Sequence, residues 1–148
     1  MSSQPEHPAA VPFSLAIRVY IEDTDAGGRV YYVNYLKYME RARSEWLRRL
    51  GFEQQTLRAQ NLLFVVHSLE LRYPHPARLD QLLQVTADLI ETGRASLLFT
   101  QQVLDAASGG CLASGQVRIA AVAADSGRPL PLPEPLRHAL VSPPSLSP

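Results

Sequence analysis

Between residues 35 and 50, apolar side chains recur at three- and four-residue spacing. Tyr35, Met39, Ala42, Trp46 and Leu50 form the stripe, and Leu36 and Leu47 widen it. A stripe of that length is a helix with one buried face. Asn34 is placed to cap its start, Arg48 and Arg49 suit the negative end of its dipole, and Gly51 can take the left-handed conformation that stops it. Elsewhere the period is mostly two. Phe13, Leu15, Ile17, Val19 and Ile21 alternate with Ser14, Ala16, Arg18 and Tyr20, which predicts a strand with one face in a core. Further strands are predicted over 62–73, 82–90, 95–104 and 112–123. In the first of these, Leu63, Val65, His67, Leu69, Leu71 and Tyr73 share one side. Pro74 and Pro76 end it, and glycine turns at 93–94 and 109–110 separate the rest. Residues 53–59 add one or two helical turns. One strand, one long helix and four strands predict an α+β fold, an antiparallel sheet of about five strands wrapped around one long central helix. Such a sheet leaves free edges and a bare face, so self-association is expected.

At 148 residues, 46% of them apolar and 19% charged, the chain reads as one soluble globular domain. Residues 1–12 read as a loose arm, 13–136 as the domain and 137–148 as a Pro/Ser-rich tail. Within this, 130–136 are expected to pack on the body and the last ten residues are not expected to order. Fourteen basic and fourteen acidic residues cancel, 14 against 14, and no basic run points to nucleic acid or an anionic membrane. No apolar stretch is long enough to span a bilayer and no leader is legible, so the expected location is the cytoplasm. The single cysteine, Cys111, excludes an internal disulfide, and its alternating surroundings predict a buried structural thiol.

The chemistry concentrates between the first strand and the helix, in Glu22-Asp-Thr-Asp-Ala-Gly-Gly-Arg-Val-Tyr-Tyr32. Asp23 and Asp25 open like a calcium loop, but Gly27 and Asn34 stand where the later oxygen ligands belong, which argues against that reading. An Asx-turn at the strand exit accounts for one aspartate, and a nucleophile or general base accounts for one equally well; the pattern leaves both open. Gly27 and Gly28 allow either positive φ or close approach of a ligand to bare backbone. The helix start offers unpaired N–H groups that can hold a carbonyl oxygen. A phosphate cradle lacks its lysine and serine. Tyr31, Tyr32 and Tyr35 are expected to pack, His67 to sit in a core or interface, and His75 to be exposed. No serine lies in a nucleophile-elbow context, so a carboxylate is the best catalytic group available.

These residues resemble the hotdog-fold acyl-CoA thioesterases of the 4-hydroxybenzoyl-CoA thioesterase family. Within that group the chain is most similar to the bacterial acyl-CoA thioesterases associated with the Tol-Pal system. The matching runs are Arg18-Val-Tyr-Ile-Glu-Asp-Thr-Asp-Ala-Gly-Gly-Arg-Val-Tyr-Tyr32, Met39-Glu-Arg-Ala-Arg-Ser-Glu-Trp-Leu47, Pro76-Ala-Arg-Leu-Asp80 and Ser96-Leu-Leu-Phe-Thr-Gln101. The resemblance implies that Asp25 is catalytic and that the backbone N–H of Tyr32 polarises a thioester carbonyl. Where the Tol-Pal relatives often carry histidine, this chain has Tyr32. It further implies Gly28, Tyr31 and Asn34 at the substrate, and Arg94 and Ser96 at coenzyme A across a subunit interface. A homotetramer built from sheet-sharing dimers is expected, with acyl-CoA as substrate and neither metal nor cofactor, since a thioester already has a good leaving group. A non-catalytic acyl-CoA-binding module on the same fold is the alternative.

Overall fold

The computed structural model describes residues 12–141. The expected arm, residues 1–12, lies outside these except for Pro12, and so does the tail from 142 onward. In chain order the elements are β1 (Phe13–Arg18), α1 (Asn34–Arg49), α2 (Gln54–Ala59), β2 (Leu62–Arg72), β3 (Leu82–Thr92), β4 (Ser96–Asp105), β5 (Cys111–Ala123) and α3 (Glu134–Val141), with a 3₁₀ turn at Ile21–Asp23. The five strands form one sheet in the order β1-β3-β4-β5-β2, every neighbouring pair antiparallel. This is the sheet-around-helix architecture that the single helical stripe predicts.

The stripe is what holds α1 to the sheet. Tyr35, Tyr38, Met39, Ala42, Trp46, Leu47 and Leu50 are buried against inward residues of the strands, among them Ile17, Leu83, Val85, Leu97, Phe99 and Val117. Trp46 meets Phe99 edge-on at 5.0 Å between ring centroids. One polar residue sits in this inward row. Gln101 is fully buried, and its amide donates to the carbonyls of Met39 and Thr86 at 3.0 and 2.9 Å while its oxygen accepts from Arg43 at 2.9 Å. Helix and sheet are thereby fixed by direction as well as by apolar contact. At the far end the N–H of Gly51 donates to Arg48 and that of Phe52 to Leu47, both at 2.9 Å. With Gly51 at φ +97°, this is a Schellman stop, as its position in the sequence predicts.

Three expectations change. β1 ends at Arg18, although the N–H of Val19 still donates to Gln81 at 3.0 Å; Ile21 leaves the core face and is exposed. In β2 a bulge between Val66 and Ser68 shifts the register against β5, so no single alternation runs through the strand. Leu62 and Phe64 pack inward before the bulge and Leu71 after it, while Val65, Val66 and Leu69 are exposed and His67 is exposed rather than in a core. Third, the chain from residue 137 is helical as far as Val141. Pro133 and Pro135 do not prevent this, because the first helical turn has no use for their missing N–H groups. Leu132 and Leu136 anchor the segment in the core, as expected for 130–136. Cys111 is half-buried on β5.

Candidate active site

The turn after β1 is a tight hairpin. Thr24 pairs with Val30, and the N–H of Asp25 donates to the Arg29 carbonyl at 2.7 Å. Gly28 has φ +79°, and a Cβ added there meets nothing within 4 Å. The glycine is therefore required for its backbone conformation and not for space in this protomer.

The two aspartates have different partners. Asp23 ties the hairpin to the helix. Its Oδ2 accepts from the N–H of Tyr20 at 2.9 Å, its Oδ1 from the Asn34 amide at 3.1 Å, and its carbonyl from the N–H of Tyr31 at 2.9 Å. That tie corrects the expected cap. Val33 occupies the cap position without a side-chain hydrogen bond, and buried Asn34, the first helical residue, spends its amide on Asp23. Asp25 makes the Asx-turn. Its Oδ1 accepts from the N–H groups of Gly27 and Arg29 at 2.9 and 3.2 Å. Its Oδ2 accepts from no described residue, and the side chain is exposed. The Asx-turn reading of the sequence is thus met by Oδ1 of Asp25, and Oδ2 has no partner among the described residues.

Beyond the hairpin, a β-turn leads into α1. The N–H of Asn34 donates to the Tyr31 carbonyl at 2.8 Å. The N–H of Tyr32 lies on the opposite side of that same peptide plane, so it points away from the helix. No described residue accepts from it. Such free donors at a helix start, with the positive end of the dipole behind them, favour negative charge on a nearby oxygen.

A second segment brackets the turn. Residues 77–79 run antiparallel to 28–30, with the N–H of Val30 donating to Ala77 at 2.9 Å and that of Leu79 to Gly28 at 3.2 Å. The Tyr35 hydroxyl accepts from the N–H of Ala77 at 2.9 Å. Burial raises the Tyr35 phenol above its ordinary value, that bond opposes the rise, and the charge of Asp25 adds to it. The Tyr73 ring lies against Tyr35 at 5.3 Å and Tyr32 at 6.3 Å, and the Tyr31 ring lies tilted beside Tyr32 at 5.0 Å. Residues 73–79 are the part of the site that sequence reasoning missed. Their one signal was the Pro76–Asp80 run in the family resemblance, which says nothing of where the run lies.

Asp25, Gly28, Tyr31, Tyr32 and Asn34 therefore come together, and Arg94 and Ser96 do not join them. The hairpin follows the end of β1 that pairs with Leu82, whereas Arg94 and Ser96 follow the other end of β3. β3 is an 11-residue strand, which separates the two places by roughly 33 Å at the usual rise. There the Arg94 carbonyl accepts from Leu132 and Arg137, and Ser96 accepts from Arg118 at 3.4 Å. A cleft of about 390 Å³ touches the turn through Glu22 and Asp23 but not through Asp25. Among the described residues no three His, Cys, Asp or Glu side chains gather as a metal site requires.

The model of the thioesterase-like superfamily matches residues 19–140. An acyl-CoA thioesterase YbgC of Haemophilus influenzae is 42% identical over 128 residues, covering 86% of this chain and 93% of that protein. An acyl-CoA thioester hydrolase YbgC of Escherichia coli O157:H7 is 45% identical over 94 residues, covering 64% of this chain and 70% of that protein. Among solved structures, one from Bartonella henselae described as a probable thioesterase superposes with a TM-score of 0.77 at 34% identity, over 83% of this chain and 100% of its own. A 1,4-dihydroxy-2-naphthoyl-CoA thioesterase from Synechocystis reaches a TM-score of 0.82 at 22% identity, over 90% of this chain and 98% of its own; that likeness is one of fold.

Proposed function

The chain belongs to the thioesterase-like superfamily, and from that premise we propose that it is an acyl-CoA thioesterase whose working group is Asp25. One observation carries the assignment. The exposed residue's carboxylate is held in place through Oδ1 while Oδ2 accepts from no described residue, next to a helix start whose Tyr32 N–H has no acceptor among the described residues. A held carboxylate and a free donor are the two parts that thioester hydrolysis needs.

Two routes fit these parts. In one, Oδ2 attacks the thioester carbon, the C–S bond breaks, and coenzyme A leaves as thiolate and takes up a proton. Water then cleaves the mixed anhydride, releasing the acid and restoring the carboxylate. In the other, Asp25 takes a proton from water as the water oxygen bonds to the carbon, the C–S bond breaks, and the proton passes to the thiolate. In both, negative charge builds on the carbonyl oxygen, and the Tyr32 N–H is the donor assigned to hold it. Neither route calls on a metal or cofactor.

No described helix is long and apolar enough to cross a membrane. The reading includes a cytoplasmic location, where acyl-CoA is available, and a homotetramer. Arg94 and Ser96 lie too far from Asp25 in one protomer, so any part they play falls to a neighbouring copy. A panel of aromatic and aliphatic acyl-CoA esters, followed by thiol release, tests the activity. Turnover of at least one ester is expected. Tight binding of acyl-CoA with no release for any of them overturns the reading in favour of a non-catalytic binding module.

A further inference from the structure

Arg29 and Arg78 stand directly opposite each other in the short ladder that brackets the turn. The hydrogen bonds on either side run from Val30 to Ala77 and from Leu79 to Gly28. That pattern makes the arginines a non-hydrogen-bonded antiparallel pair, the closest side-chain approach a ladder offers. Val30 and Ala77 are buried, so by alternation Arg29 and Arg78 both project to the exposed side. Asp25 is opposite Arg29 in turn, through the bond from its N–H to the Arg29 carbonyl. Two like charges facing each other across a ladder are destabilising. Nothing among the described residues relieves them, for neither guanidinium forms an ion pair or a side-chain hydrogen bond.

We propose that Arg29 and Arg78 form an anion clamp for the phosphate oxygens of coenzyme A, in the same protomer as Asp25. The proposal rests on the acyl-CoA reading and assigns the substrate's charged part to residues that the site had not yet used. Guanidinium groups suit it because each presents a planar fork of donors to phosphate oxygens. The clamp also separates the tasks, since the anion sits on the arginines and leaves the Asp25 carboxylate to the thioester. It places a phosphate contact about one hairpin from the reacting group, where Arg94 stands at the far end of the sheet.

The test is a set of binding measurements by calorimetry with coenzyme A, dephospho-coenzyme A and pantetheine, on the intact chain and on R29Q, R78Q and the double variant. The double variant is expected to bind coenzyme A roughly tenfold or more weakly, with pantetheine binding unchanged. A penalty that persists with dephospho-coenzyme A assigns the clamp to the pyrophosphate, and one that vanishes assigns it to the 3′-phosphate. Unchanged coenzyme A affinity, or an equal loss for pantetheine, overturns the proposal. So does a change of oligomeric state in light scattering, which makes the arginines contacts to a carboxylate of another copy. Arginine-dependent coenzyme A binding in a protein that hydrolyses no acyl-CoA sinks the thioesterase reading and leaves the clamp standing. Hydrolysis with arginine-independent binding does the reverse.

Discussion

Asp25 holds the turn through Oδ1, and the proposed chemistry falls to Oδ2, a division that makes the proposal testable. Asp25→Asn keeps a carbonyl oxygen to accept from Gly27 and Arg29, so the Asx-turn and the fold survive. It removes the charge and the basicity, and turnover is expected to fall on the order of a hundredfold or more at unchanged thermal stability. Asp23→Asn should cost much less in rate, because Asp23 spends its oxygens on Tyr20 and Asn34. Wild-type rates in the Asp25 variant remove this assignment. A second residue gives a stability prediction. The Tyr38 side chain is fully buried and its hydroxyl has no hydrogen-bond partner among the described residues. Burial, and then the charge of Asp23, push its phenol well above the ordinary 10.0, and burial raises Tyr35 as well. Both folded values lie above the unfolded one. Their contribution is therefore complete below about pH 10 and is lost as the pH rises through the folded values. Tyr38→Phe removes the unpaired hydroxyl and is expected to raise stability by about 1 kcal/mol at neutral pH and to flatten the alkaline loss in denaturant titrations. A large destabilisation instead means that the hydroxyl bonds to Asp23 in solution.

The start of α1 is the element on which the oxyanion assignment depends. Tyr32 is the second residue of the turn closed by Asn34 and Tyr31, a position that proline favours. Tyr32→Pro therefore removes the N–H with little reason for the helix to collapse. Its loss is expected mainly in kcat, by roughly 3–4 kcal/mol or a factor of about 10²–10³, because the bond strengthens as charge builds on oxygen. Tyr32→Phe and Tyr32→His leave the donor in place and should keep substantial activity. If steady-state kinetics show Tyr32→Phe as damaging as the proline variant in folded protein, the phenol itself takes part and the backbone account fails. The elements themselves were largely legible. α1, β3, β4 and β5 fall close to where periodicity places them, because each buries one face over most of its length. β2 was half legible, since a bulge changes the face without changing the composition.

For the whole molecule, the free edge of β2 is the feature that calls for a partner. β2 is a terminal strand of the sheet and exposes Val65, Val66 and Leu69. An 11-residue edge carrying exposed apolar side chains pairs readily with another copy. A homo-oligomer is expected in light scattering at micromolar concentration, with a tetramer as the specific form. A charge on the edge, as in Val66→Lys, should shift it toward smaller species. Assembly and activity are expected to be linked, because Tyr73, just beyond the end of β2, packs on Tyr32 and Tyr35 beside the turn proposed to carry the chemistry. A stable monomer at those concentrations removes both the interface and the shared site.

By itself the sequence determined the period of α1 and of most of the strands, the order of one long helix among five strands, and the residues of the turn at 22–35. Those are local properties, set by spacing along the chain and by the conformations that glycine and proline permit. Only the tertiary structure decided that Asn34 serves Asp23 instead of capping a helix, that residues 77–79 pair with 28–30, and that Arg78 stands opposite Arg29. It likewise set Arg94 and Ser96 at the far end of the sheet. Each of these depends on strand register and on which segments the closing sheet brings side by side, and no spacing within a single segment carries that information.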